Sequence, residues 1–175
     1  MQALIKYFGA ILILVSGTML GWFISWAYLK RIKELQSFRS ALNIIDNEIS
    51  SKRQKLADVM YNTGKRLEAP LQKIFLEVVE GIKNNPEKEF YEIWLEILNE
   101  NKSIYFFSDS DLQIINEWAS QIGRIPLEKQ IKINNACIKE INTNIREAKA
   151  EADKKVKMFR YFGILISLFI IIIFY

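Results

Sequence analysis

The chain has 175 residues, a formal net charge of +4, half of its residues apolar, one cysteine and no histidine. That length is room for one modest domain. Without histidine, Ser-His-Asp, Cys-His and histidine-based zinc chemistry cannot be assembled, which excludes most hydrolase templates, and Cys137 alone can form no intramolecular disulfide.

The apolar residues are unevenly spread. Tyr7 to Leu29 is a run of 23 residues without a charge, and Tyr161 to Tyr175 is a second run of 15. At ~1.5 Å per residue the first reaches ~34 Å, enough for a hydrocarbon core of ~30 Å, whereas the second reaches ~22 Å and would span by thinning the bilayer or by snorkelling of its flanking cations. The first run is longer than a signal-peptide core, and its small-x-small candidate, Ser25-Trp26-Ala27, lies at its far end, so it reads as an uncleaved anchor. Trp22, Trp26 and Tyr28 cluster where that helix would leave the membrane.

The flanks set an orientation. Lys30, Arg31 and Lys33 follow the first run, and Lys154, Lys155, Lys157 and Arg160 precede the second, so the middle of the chain is expected to be cytoplasmic and both termini outside. The expected organisation is a transmembrane helix over 7–29, a cytoplasmic helical bundle over 30–160 and a short transmembrane helix over 161–175. Charge within the middle is banded: 30–66 carries +5, 67–117 carries −7 and 118–160 carries +5. Basic arms beside a membrane suit anionic headgroups, and an acidic centre suits a basic partner; an ordinary solvated face is the alternative.

From Lys30 to Thr63 there is neither Gly nor Pro, and Ile32, Leu35, Phe38, Leu42, Ile45 and Ile49 recur at steps of three and four. The first span therefore runs on as an amphipathic helix, through Leu56, Val59 and Met60 to a stop at Gly64. Pro70 opens a helix burying Leu71, Ile74, Phe75, Val78 and Val79, with Gly81 near its end. Asn85-Pro86 reads as a cap and first-turn proline, with Glu87 and Glu89 at the positive end of the helix dipole, and that helix buries Phe90, Trp94 and Leu98 or their neighbours Ile93 and Ile97. Ile104 to Phe107 form an apolar loop that packs on the bundle or on a partner.

Ser108 or Asp109 caps a helix through Leu112, Ile115, Trp118, Ala119 and Ile122, stopped at Gly123. The last helix starts near Pro126. Ile131, Ile138, Ile145, Ala152 and Phe159 recur every seven residues in it, with Asn134 and Lys155 breaking the second position of the seam. Packing against the helix that follows the first span is the simpler account. The fold class is all-α, a bundle of about six helices carried by two membrane helices.

Few residues suggest chemistry. Glu77 with Glu80, and Glu92 with Glu96, share helix faces, but a di-metal site of this type needs Glu-x-x-His partners. Gly64-Lys65-Arg66 lacks both the earlier glycine and the following Ser or Thr of a phosphate loop. Cations interleave with acids, and aromatics are not arrayed for stacking bases, so no nucleic acid is expected as a partner. No cofactor or metal is expected. Cys137 reads as a small buried hydrophobe. Gly17 and Gly21, extended by Ser25, form a small-residue face within the first span that lets another helix approach, be it the second span, another copy or another protein.

The order of these features resembles the stage III sporulation protein AB family of endospore-forming bacteria. The resemblance rests on Gly9-Ala10-Ile11-Leu12-Ile13-Leu14, Phe38-Arg39-Ser40-Ala41-Leu42, Glu48-Ile49, Trp94, the helix from Asp109 to Gly123 and Gln130; the chain departs from the family pattern at Ile125 and Pro126. That family is similar to the cytoplasmic helical domain of type II secretion F-type platform proteins. The resemblance implies a multi-pass protein of the mother-cell membrane, a non-enzymatic platform in the sporulation channel beside a secretion-type ATPase, the stage III AA protein, and other stage III A channel proteins. F-type platforms usually carry two such domains and this chain has one; where that architecture is retained, the second copy comes from a homo-oligomer, with the Gly17 and Gly21 face as a candidate contact. Glu87, Glu89, Glu92 and Glu96 form the expected partner face. The alternatives are a membrane-anchored regulator and a membrane-shaping hairpin acting on lipid through its basic flanks.

Overall fold

The computed structural model describes residues 2–51, 55–122 and 127–174. Among them are six α-helices and no strand: α1 Gln2–Ser51, α2 Leu56–Gly64, α3 Leu71–Asn84, α4 Phe90–Glu100, α5 Asp109–Gln121 and α6 Leu127–Phe174. The chain divides into two compact units. One is Arg31–Arg146; the other joins Met1–Lys30 with Glu147–Tyr175.

The unit from Arg31 to Arg146 is a helical bundle with a continuous apolar core. The stripe read on α1 is its wall, with Leu35, Phe38, Leu42, Ile45 and Ile49 buried and Ile32 half-buried. The buried set of α3 is Leu71, Ile74, Phe75, Val78 and Val79, as its spacing predicts. In α4 both apolar rows are buried, because Phe90, Ile93, Trp94, Ile97 and Leu98 together cover a wide face. Aromatic edges meet ring faces at the centre: Phe38 on Trp118 at 5.4 Å and 89°, Trp94 on Trp118 at 5.5 Å and 75°, Phe75 on Trp94 at 5.7 Å and 85°. Such pairs add about 0.5–1.5 kcal/mol each beyond the area they bury.

Two boundaries differ from the expectation. The helix after the first apolar run does not continue to Gly64: Lys55 has extended backbone, and α2 is a separate helix. The six residues Ser50 to Lys55 are all polar, so no apolar stripe rewards continuing the helix there. Asn85-Pro86 is a turn, not a helix start. The Lys88 N–H donates to the Asn85 carbonyl at 3.1 Å with Pro86 at the second turn position, and α4 begins four residues later at Phe90. Gly64 and Gly81 serve close packing: a Cβ on Gly64 would lie 3.1 Å from Phe75 Cβ, and one on Gly81 2.5 Å from Ile93 Cγ2. The stop read at Gly123 and the start read at Pro126 lie outside the described residues, as do Ile125 and its turn.

The apolar loop packs inward. Tyr105 is buried, Ile104, Phe106 and Phe107 are half-buried, and the Tyr105 and Phe107 rings lie 5.4 Å apart. Ser108 caps α5 through a capping box: its hydroxyl accepts from the Asp111 N–H, and the Asp111 carboxylate accepts from the Ser108 N–H.

The second unit is an antiparallel pair formed by residues 2–30 of α1 and 147–174 of α6. Both helices are long and apolar enough to cross a membrane. Only 11% and 6% of their most apolar windows are buried, which sets them apart from core helices of a water-soluble bundle.

Candidate interaction sites

The helix pair is built on small residues. Gly17 faces Gly163 and Ser167; a Cβ there would fall on Ser167 Oγ and within 2.9 Å of the Gly163 carbonyl oxygen. At Gly21 a Cβ would lie 2.6 Å from the Phe159 carbonyl oxygen, and at Gly163 one would lie 2.5 Å from that of Gly17. The Ser25 hydroxyl donates to the Gly21 carbonyl at 2.7 Å and reaches across to the Val156 carbonyl at 3.3 Å. Gly17, Gly21 and Ser25 thus meet the second apolar run of the same chain. Sequence reading left their partner open and missed its matching face, although Gly163-x-x-x-Ser167 carries the same small-residue signal.

The basic flanks divide by environment. Within the helix pair, Lys30 Nζ lies over the Trp26 ring at 5.0 Å, the Arg160 guanidinium over Trp22 at 5.7 Å and Lys155 Nζ over Tyr28 at 5.4 Å, with Lys155 also paired to Glu151 at 3.3 Å. Lys154 and Lys157 are exposed. Within the bundle, Lys33 pairs with Glu68 on the surface at 2.7 Å. Arg31 is different: its guanidinium is turned onto the buried carboxylate of Asp111, with Nε 2.7 Å from Oδ2 and Nη2 3.1 Å from Oδ1.

The expected acidic face lies along one edge of the bundle. Glu87 sits in the turn before α4, Glu89 is its N-cap residue, Glu92 is in its first turn and Glu96 one turn on; all four are exposed. They are not a uniform negative patch, because Lys88 Nζ holds both oxygens of Glu96 at 2.8 and 3.0 Å. That hydrogen bond, the charge of Glu96 and the further fields of Glu92 and Glu87 raise the Lys88 pKa. Among the described residues, no group of three or more His, Cys, Asp or Glu could hold a metal ion.

Sequence reading missed the buried polar clamps. Asn134, taken as a break in the α6 seam, is fully buried: its amide oxygen accepts from Trp118 Nε1 at 2.7 Å, and its amide nitrogen donates to Asp46. Asn144, also buried, donates to Asp111 at 2.7 Å. The buried row of α6 is Gln130, Asn134, Cys137, Ile141, Ile145, Ala148 and Ala152, while Ile131 and Ile138 are only half-buried. Hydrophobicity alone places the start of that stripe one position off, at Ile131 and Ile138 instead of Gln130 and Cys137, whereas Ile145 and Ala152 are buried as the seven-residue spacing predicts. Cys137 is a buried hydrophobe as expected, its thiol pushed up to about 12 by burial and by the nearby Glu140 and Glu117 charges.

A two-helix apolar pair and an all-α bundle closed by buried polar clamps define a membrane-associated helical protein. The chain belongs to the stage III sporulation protein AB family, whose family model matches residues 6–175, and is a sporulation protein on that ground. It is 21% identical over 157 residues to the stage III sporulation protein AB of Bacillus subtilis (strain 168), covering 88% of this chain and 91% of that one. A solved structure of stage III sporulation protein AB shares the fold with a TM-score of 0.64 at 15% identity, over 70% of this chain and 96% of that one.

Proposed function

We propose that this chain is a non-enzymatic platform of the sporulation channel between mother cell and forespore, and that its bundle docks a secretion-type ATPase, the stage III AA protein. The reading starts from the family and from that family's similarity to the helical domain of type II secretion F-type platforms. The observation that carries it is α4, whose inner face is fixed in the aromatic core while its outer edge presents Glu87, Glu89, Glu92 and Glu96. A rigid helix with one acidic edge suits recognition of a basic surface.

The topology in this reading follows from the helix pair. Being antiparallel, it has residues 2 and 174 at one end and Lys30, Lys154, Lys155 and Lys157 at the other. The basic end is cytoplasmic by the positive-inside rule, which places the bundle on the mother-cell side. Two copies of the chain supply the pair of bundles that a platform usually carries.

The test is charge reversal. Glu89→Lys, Glu92→Lys and Glu96→Lys together are expected to weaken capture of the purified stage III AA protein by about tenfold or more, since like charges across an interface cost several kcal/mol. Circular dichroism should show the bundle still folded, because all three side chains are exposed. Undiminished capture by a folded variant removes this edge as the docking surface.

A further inference from the structure

The register of the helix pair puts two unlike segments at one level. Gly21 packs against Phe159, Ser25 reaches Val156, and the Tyr28 ring stacks on Phe159 at 6.3 Å. Residues 22–29 of α1, which carry no charge, therefore run beside residues 153–160 of α6, which hold Asp153, Lys154, Lys155, Lys157 and Arg160. Hydrocarbon at that depth would have to accommodate four cations and a carboxylate on one helix in order to cover the apolar turns of the other.

The side chains at this level are those of an interface. Trp22 is 63% and Trp26 42% exposed, and each ring carries a cation over its face, Arg160 and Lys30 respectively. Lys155 lies over Tyr28 in the same way. Amphipathic rings and long cationic side chains both favour the headgroup zone, where the ring body meets acyl chains and the charge meets phosphate. Lys154 and Lys157 are exposed and have no ion-pair partner among the described residues.

We infer that residues 22–29 and 153–160 form a collar that binds anionic phospholipid headgroups, with the hydrocarbon boundary at the level of Trp22 and Arg160 and not beyond Leu29. The last two turns of the first apolar run then lie in the headgroup zone, and its hydrocarbon-crossing part ends near Gly21. Lys154, Lys157 and Arg160 supply the charge for the lipid phosphates, and Trp22 and Trp26 fix the depth. This inference rests on insertion of the helix pair and not on ATPase docking, and its test contains no protein partner.

The full chain is reconstituted in vesicles of phosphatidylcholine with phosphatidylglycerol, and nitroxide labels are placed by Ile24→Cys or Ile166→Cys in a Cys137→Ala background, which leaves Trp22 and Trp26 in place. Both labelled positions are exposed on the helix pair. Relaxation by a water-soluble nickel chelate is expected to read position 24 at headgroup depth, while oxygen reads position 166 deep in the acyl region. A label at position 24 as deep as one at 166 overturns the boundary. In the second arm, spin-labelled phosphatidylglycerol is expected to associate with the chain in preference to spin-labelled phosphatidylcholine. Lys154→Gln, Lys157→Gln and Arg160→Gln should together lower that preference, by up to about fivefold for each cation removed. Absence of the preference in the natural chain, or its survival in a triple variant that keeps its helix content, overturns headgroup binding.

Discussion

Asp111 and Asp46 are carboxylates whose surroundings push them in opposite directions. Burial alone would raise the Asp111 pKa, but hydrogen bonds from Arg31, Ser108 and Asn144 outweigh it and hold the group below its usual 3.8. Asp46 has only Asn134 to lower it, and partial burial leaves its pKa raised. By linkage the Asp111 contribution to stability is fully present above the unfolded-state value and is lost as pH falls below about 4 through the depressed folded value. Asp46 works the other way: the folded state holds its proton longer, so stability falls as pH rises through the window just above 3.8. In urea titrations of the full chain in detergent, Asp111→Asn should cost about 3 kcal/mol near neutral pH, because it removes the carboxylate that accepts two charge-assisted hydrogen bonds from Arg31. That deficit should shrink below pH 4, whereas Asp46→Asn should remove the decline just above pH 4. A deficit for Asp111→Asn that is the same at pH 3 and pH 7 would show that the carboxylate charge is not what holds Arg31.

At the scale of elements, the helix pair and α3 against α4 both depend on glycine as an absence of side chain. Gly21 faces the Phe159 carbonyl and Gly163 that of Gly17, and backbone cannot swing aside as a flexible side chain can. Gly9 has nothing within 4 Å of an added Cβ. Gly21→Leu is therefore expected to lower the sodium dodecyl sulfate fraction at which the helix pair unfolds in mixed micelles, while Gly9→Leu leaves it unchanged; equal midpoints would mean that the close approach at Gly21 contributes nothing. How much of this was legible in the sequence depends on whether the signal was local. The charge-free runs and the α3 face are written in consecutive residues and are read directly, and the α5 cap is narrowed to Ser108 or Asp109, of which the fold selects Ser108. The turn at Asn85-Pro86 was misread because the fixed proline φ suits the second position of a turn as well as the first turn of a helix. Asn134 was misread because its partners, Asp46 and Trp118, lie 88 and 16 residues away, and only the fold shows that its amide is satisfied. The acidic edge was legible as a pattern, but the Lys88 clamp on Glu96 needed the turn that brings them together.

For the whole molecule, the small-residue face bears on how copies associate. Gly17, Gly21 and Ser25 are occupied by Phe159, Gly163, Ser167 and Val156 of the same chain, so a second copy cannot use that face without opening the pair. In the platform reading, two bundles come from two chains, and their contact must then lie elsewhere. The exposed residues Ile11, Val15 and Met19 of α1 and the surface of the bundle remain available to it. Association and intrachain packing are thereby separable. Light scattering of the full chain in mild detergent, corrected for bound detergent, should give a mass of at least two chains. Gly21→Leu should leave that mass unchanged while weakening the helix pair, because its bulk enters an intrachain contact. A monomer at all accessible concentrations would remove the two-bundle arrangement and leave a single bundle to meet the ATPase, whereas a dimer that dissociates in Gly21→Leu would mean that the glycine face joins two chains.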